Sequence, residues 1–191
     1  GSIVLTLLPG GRIRPGERLS VSAFRSHRMK SDSQVSVCMS EPRFYELAEL
    51  SAKAIADEIR PKKWFLPMDE IRAGGTCESC RGKGLGNLLA DCLRRQVEII
   101  RKRVPDAEIY AWPDMFDPFA NAKPSAAGRD YALCCGSFAP ISDKVPADIV
   151  PVVWSDERSM VAEMAHFNGL GRPTVYAGYY DVFTAECFRG I

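Results

Sequence analysis

Net charge is what this chain has least of: 25 Lys and Arg stand against 24 Asp and Glu, a formal +1 at pH 7. Without a basic field it has little to offer a phosphate backbone or an anionic bilayer, so neither nucleic acid nor membrane is an expected partner. Long apolar runs are missing as well, and none reaches the roughly 20 residues that a membrane-spanning helix needs. No charged segment leading into an apolar stretch opens the chain, so no signal peptide is visible. No Gly-rich phosphate fingerprint follows any apolar run, which weakens a nucleotide-binding reading. Histidine is scarce, with His27 and His166 alone. The seven cysteines are odd in number and outline no disulfide framework. Cys77 and Cys80 make a single CxxC, but a zinc site needs two further ligands at suitable spacing, and both histidines are far away in sequence. The motif reads as ordinary loop thiols, with no metal expected. A redox CxxC would want a thioredoxin-like context that is not there.

What remains is an ordinary globular composition, 46% hydrophobic and 26% charged over 191 residues, enough for one domain with a sizeable core. Five short β-rich runs stand out, at residues 18–24, 63–68, 107–112, 148–154 and 173–178. Helical stripes separate several of them. Phe44, Leu47, Ala48, Ala52, Ile55 and Ile59 make the first, with Ser40 as N-cap and Pro42 in the first turn. Leu89, Leu93, Val97, Ile100 and Val104 make the second, stopped by Pro105. Met160, Val161, Met164, Ala165 and Phe167 make the third, ended by Gly169 and Gly171. Strand and helix in alternation predict βαβ units and an α/β fold with a parallel sheet, which fits either an open doubly wound sheet or a (β/α)8 barrel. Residues 113–147 show no period, and a loop of that length is either functional, here a cover over a substrate, or a poorly ordered insertion.

The sharpest local signal is Trp64-Phe65-Leu66-Pro67-Met68-Asp69-Glu70, an apolar run that ends in two adjacent acids. The C-terminal ends of strands are where α/β folds do their chemistry. Acids and aromatics recur just after the later runs: Trp112 and Asp114, then Trp154, then Tyr179, Tyr180 and Asp181. One rim fed by several strands is the behaviour of a (β/α)8 barrel. A complete barrel has eight strands in about 250 residues. Five runs predict a partial TIM barrel over residues 18–191, preceded by a strand or hairpin segment at 1–17.

From Cys38 to Asp181 the chain resembles the catalytic barrel of glycoside hydrolase family 20, the β-N-acetylhexosaminidases. The residues that carry the resemblance are Ser40-Glu41-Pro42 and the helix after them, then Arg60-Pro61-Lys62-Lys63-Trp64-Phe65 leading to Asp69-Glu70. The Cys77–Cys80 loop, Trp112 and Tyr179-Tyr180-Asp181 complete the series. On this resemblance the five runs are barrel strands three to seven. The family's His-x-Gly-Gly before the acids is replaced by Phe65-Leu66-Pro67-Met68, so the backbone there must differ. The resemblance implies hydrolysis of a terminal N-acetylhexosamine with retention, with a carbohydrate as partner and no cofactor. Glu70 would be the general acid, walled by neighbouring aromatics. Asp69 would orient and stabilise the substrate's own 2-acetamido group, which attacks the anomeric carbon in this exception to the two-carboxylate scheme. Adjacent strand residues point to opposite faces, so the pair can converge only where the strand bends.

Each residue also has a plain structural reading. Glu70 can pair with a nearby base such as Arg72, and Asp69 can cap a turn. Trp112 and Trp154 either wall a sugar pocket or fill core, whereas Trp64, at its strand's start, belongs to the core. Tyr179 or Tyr180 would bond the acetamide. Asp114, Asp117 and Asp181 either bind sugar hydroxyls or serve turns. Two alternatives stay open: a non-catalytic carbohydrate-binding or degenerate barrel, and a glycosidase of other specificity with Asp114 or Asp181 as second carboxylate.

Overall fold

The computed structural model describes residues 6, 9–20, 37–66, 68–71, 74–122, 137–155 and 157–177. Helix α1 spans Pro42–Glu58. Pro42 opens it as expected, since proline's missing N–H is not needed in the first turn. The N-cap is Glu41 and not Ser40; its carboxylate accepts the Arg43 N–H at 3.1 Å. The helix is also turned from the expected stripe. Tyr45 and Ala52 are its buried residues, while Leu47, Ile55 and Ile59 face outward. Strand β1 is Lys63–Leu66, two residues shorter than the apolar run suggests, because the chain folds back at Met68, whose N–H reaches the Leu66 carbonyl at 3.0 Å.

Helix α2, Leu85–Arg101, is the most strongly amphipathic element, and Leu85, Leu89, Leu93, Val97 and Ile100 turn into the core. It is followed by β2 at Glu108–Ala111, β3 at Ile149–Val153, α3 at Glu157–Gly169 and β4 at Val175–Tyr176. Four of the five expected runs thus carry strands. The fifth, 18–24, is not a strand over residues 18–20, and the rest of it lies outside the described residues. In the 1–17 segment, the described residues likewise form turns and no strand.

All strand pairs are parallel, in the order β1-β2-β3-β4. Among the described strands the order never reverses, so the sheet has no switch point of the kind where open doubly wound folds bind ligands. The parallel direction puts the C-terminal ends of all four strands on one edge. One face of the sheet is buried with α2 through Trp64, Leu66, Ile109, Ala111, Ile149 and Val153. The other face, among the described residues, presents Phe65 at 43% exposure and Val175 at 42%.

The long connection between β2 and β3 is neither a cover nor a loose insertion where it is described. Met115, Phe116, Ala122, Phe138, Ile141 and Val145 from it are core residues. Its lack of period reflects a chain of turns that fills the layer beside the sheet. Phe116 meets Phe167 of α3 edge to face, at 5.8 Å between ring centres. Buried Arg172 fastens the end of α3 to the same connection, donating to the carbonyls of Val145 at 2.6 Å and Ser142 at 3.0 Å. Residues 123–136 lie outside the description.

Candidate functional site

Asp69 and Glu70 lie in the loop after β1, not on the strand. Asp69 is exposed and Glu70 half-buried. Glu70 has φ of +40°, left-handed backbone that costs a non-glycine residue on the order of 1 kcal/mol. The chain bends here, just beyond the end of β1. The turn is held from the next loop. The Glu70 N–H donates to Asp114 Oδ2 at 2.9 Å, and the Ile71 N–H donates to Met115 Sδ at 3.3 Å.

Asp114 is a buried positioning group, 4% exposed. Its Oδ2 also accepts the Asn121 side-chain amide at 2.8 Å, and its carbonyl accepts the Asn121 N–H at 2.8 Å. Its Oδ1 is buried with no hydrogen-bond partner among the described residues. Burial pushes this carboxyl up to about 6 despite the two donors, with the negative charges of Asp69 and Glu70 adding to the effect. So deep a carboxylate is not open to a sugar hydroxyl. Asp117 is buried more completely still. It accepts the Phe119 N–H at 2.8 Å and closes a turn, as in its plain reading. Burial, chiefly, and then the nearby Glu163 raise it to about 7. Glu163, itself buried, takes a hydrogen bond from Ser155, just beyond β3.

The aromatic residues gather on the same edge. Phe65, Trp112 and Trp154, from three neighbouring strand ends, form a row. Phe65 meets Trp112 at 4.8 Å and Trp112 meets Trp154 at 6.2 Å, both edge to face. Both tryptophans are half-buried, so each keeps surface toward solvent. Trp64 is buried near the other end of its strand, its indole N–H on the Pro61 carbonyl at 3.1 Å. Phe65 is the member of the row that the sequence reading passed over; strand alternation could have found it, since it shares a face with neither Trp64 nor Leu66. Tyr179, Tyr180, Asp181 and Arg72 lie outside the described residues.

A second constellation was hidden in the sequence. Cys38, ahead of α1, comes within 3.4 Å of both Cys77 and Cys80, sulfur to sulfur, and all three thiols are free. Matching the CxxC against histidines alone missed the third cysteine, 39 residues upstream of the pair.

No protein-family model matches the chain, and no curated protein matches it in sequence.

Proposed function

We propose that the protein is a carbohydrate-active barrel of the family-20 kind, hydrolysing a terminal N-acetylhexosamine with retention at Asp69 and Glu70. The observation that carries this reading is the hydrogen bond from the Glu70 backbone to Asp114. It ties the loops after β1 and β2 together at the edge where aromatic rings from three strand ends form a row. Sugar rings present C–H faces to aromatic surfaces, and a pocket of aromatics with a few placed polar groups is the general form of a small-ligand site. The unreversed strand order favours a barrel over an open doubly wound sheet. In a closed barrel the face bearing Phe65, Tyr110 and Val175 turns inward, as both faces of a parallel sheet are normally covered.

In this mechanism Glu70 gives its proton to the leaving glycosidic oxygen. Asp69 faces the acetamide and stabilises the positive charge that grows on it as its oxygen attacks the anomeric carbon. Asp114 holds the bend that lets both carboxylates reach one sugar, and it touches no substrate. Tyr179 or Tyr180 bonds the acetamide. Trp112 and Trp154 wall the pocket, and Asp181 binds hydroxyls.

A sugar-binding protein without chemistry is the second reading, favoured by the absence of the His-x-Gly-Gly that precedes the acids in the family. Two variants separate the readings. Glu70→Gln keeps shape and removes the acid. It should lower turnover of a natural N-acetylglucosaminide by about 10²–10⁴ and of an activated aryl glycoside much less, since the aryl leaving group needs little protonation. Asp69→Asn should impair both substrates. Sugar binding without cleavage by the wild type favours the second reading. Unchanged natural-substrate turnover in Glu70→Gln removes Glu70 from the role.

A further inference from the structure

The three thiols of Cys38, Cys77 and Cys80 converge from two distant segments onto one point. Their sulfurs all lie within 4.8 Å of one another. Four thiolates around zinc at about 2.3 Å stand about 3.8 Å apart in a tetrahedron. The 3.4 Å separations from Cys38 to each of its partners are close to that spacing and need only a small expansion. A disulfide would use two of the sulfurs and leave the third without a task. The surroundings are those of a ligand loop. The Cys80 and Arg81 N–H groups both turn back onto the Cys77 carbonyl, at 3.1 and 3.0 Å, and Gly82 at φ +80° takes the chain away. Ser40 stands beside the cluster, its hydroxyl oxygen 3.4 Å from the Cys80 sulfur and 3.4 Å from the Lys83 ammonium. The upstream arm is fixed by buried Tyr45, whose hydroxyl donates to the Met39 carbonyl at 2.6 Å. Cys92, the other described cysteine, sits on α2 beside Gln96 and takes no part.

We propose that Cys38, Cys77 and Cys80 bind one zinc ion as thiolates, in a structural site that staples the start of α1 to the loop between β1 and α2. Three protons leave as the three thiolates form, so binding strengthens as pH rises. These three thiolates are the ligands among the described residues, and solvent completes the tetrahedron. The ion does no chemistry on a substrate. It fixes the far end of the loop that carries Asp69 and Glu70, with Gly74 packed between Leu85 and Met39 on the way. This inference does not rest on the glycosidase reading and survives its failure.

The test is metal content and cobalt spectroscopy on the whole chain, produced in zinc-supplemented medium under reducing conditions. One zinc per chain is expected. Cobalt added to apoprotein should give thiolate charge-transfer absorption in the near ultraviolet and the intense visible bands of a tetrahedral ion. Cys38→Ser, Cys77→Ser and Cys80→Ser should each weaken zinc binding by more than about 100-fold, beyond the usual effect of losing an outer-shell partner. Cys92→Ser should keep the metal. In the wild type, chelation should speed proteolysis between residues 69 and 83. That readout needs no variant to fold. Metal-free protein with no cobalt thiolate band overturns the proposal, as does a disulfide among the three cysteines in freshly reduced and desalted protein.

Discussion

At the residue scale, the buried acids set how stability responds to pH. Asp117 and Asp114 have carboxyls raised to about 7 and about 6, mainly by burial, against about 3.9 in an unfolded chain. The folded state therefore holds protons that the unfolded state has released across that window. Stability is greatest below about pH 4 for these two groups and falls as pH rises through 6 and 7, opposite to the usual carboxylate in an ion pair. Urea unfolding from pH 4.5 to 8 should show a falling midpoint. Asp117→Asn should flatten the fall and raise stability at pH 8 by on the order of 1–3 kcal/mol, because a neutral amide still accepts the Phe119 N–H without burying a charge. An unchanged slope in the variant would mean that Asp117 ionises as it would in water. None of this was legible in the sequence. An aspartate in a stretch without period reads as a turn residue, and only the folded structure reveals its burial.

At the element scale, the strands were legible because each is a short apolar run between turn residues, and β-branched residues at 149, 150, 152 and 153 make β3 plain. Their ends were not. Met68 looks like strand by composition, but β1 stops at Leu66, and the local signal was Pro67, which has no N–H to give a ladder. The α1 stripe misled for a different reason. Leu47, Ile55 and Ile59 keep helical spacing, yet which apolar face is buried depends on where α2 lies. Tyr45 decides it by lying under Arg95 of α2, whose guanidinium is 4.8 Å from the ring centre. Gly86 in α2 tests the packing on its other side. A Cβ there would stand 2.7 Å from the Phe138 carbonyl oxygen, a backbone atom that cannot swing away. Helix propensity alone favours Gly86→Ala by about 1 kcal/mol. The clash should outweigh that gain and leave the variant less stable by about 1–3 kcal/mol, as in other overpacked cores. A higher melting temperature for Gly86→Ala would show that residues 137–141 do not pack against this helix.

At the scale of the whole molecule, the alternation of strand and helix was enough to anticipate a parallel sheet, and the sheet's common direction puts the residues after three strands on one edge. Parallelism is what puts Asp69, Trp112 and Trp154 on one edge despite the 84 residues between the first and the last. The cysteine cluster was beyond such reading, because no local period links Cys38 to the CxxC. The functional account rests on the substrate's acetamide acting as nucleophile between two protein carboxylates. The measurement that probes it most directly is proton NMR of the wild-type protein acting on two aryl glycosides, a β-N-acetylglucosaminide and the β-glucoside that bears a hydroxyl in place of the acetamide. The account predicts release of the β-anomer of N-acetylglucosamine before mutarotation, and no cleavage of the glucoside. First appearance of the α-anomer, or comparable cleavage of both glycosides, would contradict it.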